Sequence, residues 1–359
     1  MAFYDKVKDA VSFALNSIKG ESIQVAKMRG YELVLDMTLK KSHMTEKSLN
    51  AMVDAIKMKL PSFRRYYKKK AELLNRKNGL PYHDLFAPMG NYNKQYTVEE
   101  AKELIINSFA RFSPKMADFA IKVFDEGWAD IEPRLGKTGV PFCVPVHSVD
   151  ESRVMTSFDG TLRQIITLAH EIGHAYHNES IKGASPLQTS YPMPLAETAS
   201  IFCETLVKAS VYAEASNDAA FFLIVQELQN SFMAAIDMTG RFIFESNLMK
   251  KREDGPLSVE ELKALIVESQ KEVYGDAMDP NRMHPFMWVG PPHYYSADVH
   301  FYNFPYTFGI LMAKGLYAES VVKGKSFIKA YDNFLEATPK MNITEAAASV
   351  GIDIETPAF

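Results

Sequence analysis

The stretch Thr167-Leu-Ala-His170-Glu171-Ile-Gly-His174-Ala-Tyr-His177 governs the reading of the whole chain. Apolar residues surround it at helical spacing (Ile165, Ile166, Leu168, Ala169, Ile172), so the segment is predicted as a helix. On a helix, His170 and His174 stand at i and i+4 and project from one face. Two neutral imidazole nitrogens so placed can share one zinc ion at roughly 2.0–2.1 Å each. Glu171 lies about 100° further round the helix. It reaches the open side of such a metal rather than the metal itself, which is where a general base is wanted. A bare His-Glu-x-x-His pattern arises by chance about 0.02 times in a chain of this composition. Unpartnered charges in so apolar a helix would also be costly.

A tetrahedral catalytic site needs a third protein ligand and one open position. After the bend Tyr191-Pro-Met-Pro194 comes Leu195-Ala-Glu197-Thr-Ala-Ser200-Ile-Phe-Cys203-Glu204. Glu197 follows His170 by enough chain for a second helix to return beside the first, and it completes a His2Glu set. Glu204 shares its helix face two turns on, with Ser200 between them. Ser200 and Glu204 are expected to hydrogen-bond the imidazoles from behind. His177, one turn past His174, reads as a packing residue rather than a ligand.

The surroundings exclude other classes. The chain has 359 residues, 47% hydrophobic and 23% charged, which suits a soluble globular protein with a full core. A net charge of −4 argues against a globally basic nucleic-acid binder. Two cysteines, Cys143 and Cys203, exclude a disulfide framework and a thiolate zinc site and make a reducing compartment the default. No apolar run approaches the roughly 18 residues of a membrane span, and the N-terminus lacks a signal-peptide pattern. A cytoplasmic protein with no membrane and no nucleic-acid partner is expected. The basic run Arg64–Lys70 reads as a solvated helix face.

Most of the remainder is helical in pattern. Apolar steps from Met44 to Leu60 end at Pro61. Thr97 with Glu100, Ser258 with Glu261, and Asn342 with Glu345 mark three helix starts, with Gly275 capping the second. Residues 219–248 read as one long helix with Gly240 as its weak point. Val140–His147 and Arg153–Phe158 are β-branched and aromatic and form a predicted strand pair, turned by Asp159-Gly160 into the His170 helix. The best internal boundary is Leu80–Gln95, dividing residues 1–90, a helical region, from 91–359, the catalytic region.

HEIGHAYH (170–177) followed by ETASIFCE (197–204) resembles the oligoendopeptidase F branch of the thimet oligopeptidase-like zinc metallopeptidases, whose pattern is HExGHxxH and then a Glu-x-x-Ser ligand helix. Gly139–Cys143, Arg153–Thr161, Arg29-Gly30-Tyr31 and Tyr82–Leu85 are similar to that family too, so the likeness covers nearly the whole chain. The resemblance implies a mainly α, zincin-like helical clamshell or channel half, with a small β hairpin next to the metal helix. It implies one zinc ion per chain on His170, His174 and Glu197, with Glu171 as general base. Family members are longer, so an N-terminal lobe supplied elsewhere, or a homodimer, stands among the expected partners.

Pro292–Gly309 is dense in histidine and tyrosine, side chains suited to donate hydrogen bonds to a tetrahedral oxyanion. It resembles the family's substrate loop. His300, Tyr302 and Tyr306 match the pattern best, with His293 a competing register that would contact substrate. A peptide backbone is expected along the edge of the Arg153–Phe158 strand, touching Met155 and Ser157. The expected activity is zinc-dependent endopeptidase hydrolysis of short oligopeptides, with Glu171 activating the water at the metal. The rivals are a non-catalytic zinc-bearing peptide-binding subunit, or half of a split peptidase.

Overall fold

The computed structural model describes residues 3–90, 92–137 and 139–358. In chain order the helices and strands are α1 (Tyr4–Met28), α2 (Val34–Lys41), α3 (Glu46–Leu73), α4 (Val98–Phe112), α5 (Pro114–Asp125), β1 (Ala129–Asp130), β2 (Phe142–Val146), β3 (Glu151–Met155), α6 (Leu162–Ser180), α7 (Met193–Ala213) and α8 (Asn217–Phe232). There follow α9 (Met238–Arg252), α10 (Val259–Tyr274), α11 (Phe304–Lys323), α12 (Phe327–Ala337) and α13 (Ile343–Ser349). The fold is mainly α with one small sheet. The chain divides into two compact units. Unit 1 comprises residues 1–88, 228–307 and 355–358, and unit 2 essentially residues 89–227 and 308–354.

Helix starts follow local chemistry. Thr97, Ser258 and Asn342 each accept a hydrogen bond from the backbone N–H three residues on, and the carboxylates of Glu100, Glu261 and Glu345 accept in turn from the cap N–H. These three capping boxes lie where the sequence places them, and Gly275 ends α10.

Three helical expectations are corrected. Pro61 does not stop α3, which continues to Leu73. A proline inside a helix forfeits a hydrogen bond and costs about 3 kcal/mol or more. Burial of the apolar Tyr67 ring and Ala71 beyond it works against that loss. The basic run is therefore not a solvated face throughout. Lys70 is fully buried and donates to the Leu85 carbonyl at 2.7 Å, and Arg64 donates to the Glu272 and Val273 carbonyls at the end of α10. In the long helix the irregularity is a π turn at Met233–Asp237, not Gly240, which packs against Val273 of α10.

One helical stretch, Ala219–Arg252, is long and apolar enough to cross a membrane by length and composition, contrary to the reading of the bare sequence. Core helices meet the same criterion. Inside unit 1 its Glu245 pairs with Lys19 at 2.7 Å, both fully buried, and its Asp237 pairs with Arg241 at 2.7 Å.

The sheet lies in unit 2 and has the order β1-β3-β2. β3 pairs in parallel with the two-residue β1, which sequence patterning missed, and antiparallel with β2. The N–H groups of Val154 and Thr156 bond the Trp128 and Asp130 carbonyls on the β1 side. By the two-residue period, Glu151, Arg153 and Met155 then face β2, opposite Val146, Val144 and Phe142. Cys143 and Pro145 consequently turn their backbone groups away from the sheet. Both edges of β3 are thus consumed, and the free edges belong to β2 and the two-residue β1.

Candidate metal centre and adjoining groove

α6 starts where Thr161 Oγ1 accepts from the Gln164 N–H at 3.3 Å. Asp159 Oδ1 accepts in turn from the Thr161 N–H and hydroxyl, at 3.0 and 2.6 Å. This cap sets the start of α6. Ile165, Leu168, Ala169, Ile172, Ala175 and Tyr176 fill its buried faces.

α7 packs against α6 at very short range. A Cβ on Gly173 would lie 2.6 Å from Ser200 Cα and 2.8 Å from the Ala199 carbonyl oxygen. Only glycine allows that approach. Behind α7, a Cβ on Gly309 of α11 would lie 2.9 Å from Glu197 Cβ. Glu197 is therefore held between two helices and delivered to the histidine pair.

His170 Nε2, His174 Nε2 and Glu197 Oε2 form a triangle with edges of 3.2, 3.3 and 3.6 Å. Ligands at 2.0–2.1 Å from a tetrahedral zinc stand about 3.3 Å apart. The triangle therefore has the size of one face of a zinc tetrahedron, and no other group of three donors with this geometry occurs among the described residues. Glu204 Oε1 lies 2.6 Å from His170 Nδ1. A carboxylate accepts there, so Nδ1 carries the proton and Nε2 is left bare for a metal. Ser200 hydroxyl bonds the Glu197 carboxylate at 3.2 Å and the Glu197 carbonyl at 3.0 Å, rather than an imidazole.

Without a metal, Glu197 and Glu204 hold an extra proton on His170, which a metal at Nε2 would displace. Burial disfavours a charged His170, yet hydrogen bonds to Glu197 and Glu204 outweigh it and hold the group up at about 10. Burial and the neighbouring His170 drive His174 down. Glu204 is held down at about 2, because its bond to His170 and the charge of Lys208 overcome burial. Glu171 is 5% exposed, and burial pushes its carboxyl up to about 7.

A groove of about 520 Å³ opens over these groups, and Glu171, Cys143, Pro145, His147, Asn178 and Tyr191 help to line it. Sequence reading missed Asn178 and Tyr191. Asn178 stands one turn beyond His174, the one signal available for it. It donates to Ser152 Oγ at 3.2 Å and accepts from the Tyr191 hydroxyl at 3.2 Å, tying α6 to β3 and to the 191 bend. His177 is fully buried, stacked on Tyr191 at 3.9 Å and bonded to Thr338 Oγ1 at 2.7 Å. Burial pushes the Cys143 thiol up to about 12, so it is no nucleophile.

The expected substrate contacts Met155 and Ser157 lie at the end of β3 and just beyond it. Met155 is buried with its backbone committed to β2, and neither Met155 nor Ser157 is among the residues lining the groove. The histidine- and tyrosine-rich segment belongs to unit 1. There His293, Tyr302 and Tyr306 form a partly exposed row, with ring centroids 5.6 and 5.4 Å apart, while His300 is 5% exposed. Burial drives His300 down to about 4, so it is neutral at ordinary pH.

A His-Glu-x-x-His helix joined by a glutamate from the next helix defines the His2Glu class of zinc-type sites. The chain matches Peptidase family M3 over residues 1–358 and belongs to that family. It is 25% identical over 338 residues to the chromosomal oligoendopeptidase F of Lactococcus lactis subsp. cremoris, covering 93% of this chain and 55% of that protein. It is 21% identical over 358 residues to oligopeptidase PepF of Bacillus subtilis, covering 99% and 53%. The crystal structure of oligoendopeptidase-F from Enterococcus faecium superposes with a TM-score of 0.70 at 20% identity, over 99% of this chain and 57% of that one. The chain thus spans about half the length of the relatives it matches.

Proposed function

We propose that this chain carries the catalytic apparatus of a zinc-dependent oligopeptidase that cleaves internal bonds of short peptides. The observation that carries the reading is the donor triangle of His170, His174 and Glu197, with Glu171 buried beside it. The relatives' names, oligoendopeptidase F and oligopeptidase PepF, support the substrate class. A zinc ion held by the three donors supplies Lewis acidity at an open fourth position.

The chain's own groups then divide the work. Glu171 takes a proton from the attacking water and gives it to the leaving amine nitrogen, a double duty suited to a carboxyl whose affinity for the proton burial raises. The outward N–H and C=O of Cys143 and the C=O of Pro145 pair with the substrate backbone along the β2 edge. Main-chain pairing of this kind binds peptides with little regard to side chains. We assign oxyanion donation to the half-buried pair Tyr302 and Tyr306, and give His293 and the buried His300 supporting parts.

The test is Glu171→Gln, assayed on a quenched fluorescent oligopeptide with zinc measured on the same sample. Hydrolysis should fall about 10²- to 10⁴-fold while zinc stays at one per chain. Undiminished turnover in the variant, or turnover indifferent to a chelator, would overturn the proposal.

A further inference from the structure

Behind His170 runs a row of alternating charges that the reaction above does not use. Glu204 spends one oxygen on His170, and its other oxygen accepts from Lys208 Nζ at 2.7 Å. Lys208 also pairs with Glu227 at 3.1 Å, and Glu227 pairs with Lys314. Lys208 and Glu204 are each 17% exposed in their side chains, whereas Lys314 is 37% exposed. The row crosses three helices, from α7 to α8 to α11, and leads from the metal donor toward solvent.

We propose that Lys208 is a positioning residue for the metal donor His170, acting through Glu204. The inference rests on the zinc reading above. Glu204 must hold one orientation to accept from His170 Nδ1 and so keep Nε2 bare and aimed at the triangle. A carboxylate with a free second oxygen can rotate away from the imidazole. Lys208 removes that freedom by binding the second oxygen, and Glu227 with Lys314 holds the ammonium in place. An ordinary (i, i+4) surface pair would need neither the burial nor the two further partners.

The experiment compares Lys208→Met, Lys208→Arg and Lys314→Met with the unchanged chain. Zinc affinity is read by competition with a chromogenic chelator, donor geometry by the visible spectrum of the cobalt(II) form, and folding by the thermal midpoint of the metal-free protein. Lys208→Met should weaken zinc binding about tenfold and shift the cobalt bands, since losing an outer partner of a ligand costs about 10- to 100-fold. Lys208→Arg should restore most of both, and Lys314→Met should have a smaller effect. If Lys208→Met binds zinc as tightly as the unchanged chain with the same cobalt spectrum, the positioning role is refuted. It is refuted equally if Met and Arg variants lose affinity only in step with their thermal midpoints. Failure of the unchanged chain to bind zinc at all would instead bring down the zinc reading itself.

Discussion

At the scale of single residues, the site depends on absences as much as on side chains. Gly173 was legible as part of a pattern, but its reason was not, because a close approach of α6 to α7 is a property of two helices. Gly173→Ala would drive a methyl into Ser200 Cα and the Ala199 carbonyl, neither of which can swing aside as a side-chain tip does. Overpacking of this kind costs about 1–3 kcal/mol. The expected outcome is a lower urea midpoint together with weaker zinc binding, since Glu197 rides on the displaced helix. His177 makes a second prediction. Burial holds it down at about 3, against roughly 6.5 when unfolded. Its folded pKa is depressed, so the unfolded chain binds the extra proton, and the stability present above roughly pH 6.5 is lost as pH falls toward 3. One such group adds a slope of up to about 1.4 kcal/mol per pH unit. His177→Gln, which can still bond Thr338, should flatten the fall in urea stability between pH 6 and 4 by up to that amount. An unchanged slope would mean that the other buried histidines dominate.

Among the elements, those coded by their own residues were readable and those fixed by neighbours were not. Thr97, Ser258 and Asn342 announce their helices because a cap is a contact within four residues. The His170 helix, its following ligand helix and the β2–β3 pair were legible for the same local reasons. Pro61 misleads because burial further along α3 outweighs a local penalty. β1 escapes notice because two residues carry no period, and without it β3 looks like an edge. Peptide contacts were accordingly expected at Met155 and Ser157, whereas the backbone groups that face away from β3 belong to Cys143 and Pro145. The edge assignment is testable by removing its one N–H. Cys143→Pro deletes a donor that faces away from the ladder, so β2–β3 pairing is spared. Losing one substrate hydrogen bond worth about 1.4 kcal/mol corresponds to about a tenfold rise in KM. Zinc content should be unaltered. An unchanged KM would place the peptide elsewhere.

At the scale of the whole molecule, the candidate residues fall in two units built from interleaved segments. Every candidate metal donor, with Glu171, lies in unit 2, while His293, Tyr302 and Tyr306 lie in unit 1. No local pattern reveals this, because unit 1 is assembled from residues 1–88 and 228–307. The histidine and tyrosine segment was legible as a candidate, yet its register was not. His300 is enclosed, and His293 is half-buried beside Tyr302 with its Nε2 shut off from solvent. The division of labour makes a separable prediction. Tyr306→Phe removes one hydroxyl from unit 1 and touches no metal donor. If that hydroxyl meets the oxyanion, kcat should fall about 10²-fold, the effect of removing one such donor. KM should barely change, because the contact forms only as charge develops on the carbonyl oxygen. Zinc affinity and the cobalt spectrum should match those of the unchanged chain, since unit 2 is intact. His300→Gln, by contrast, should lower the thermal midpoint more than kcat, as expected for a buried residue that supports the segment. A Tyr306→Phe variant with full kcat would leave the tyrosine row as packing and return the oxyanion role to the metal site alone.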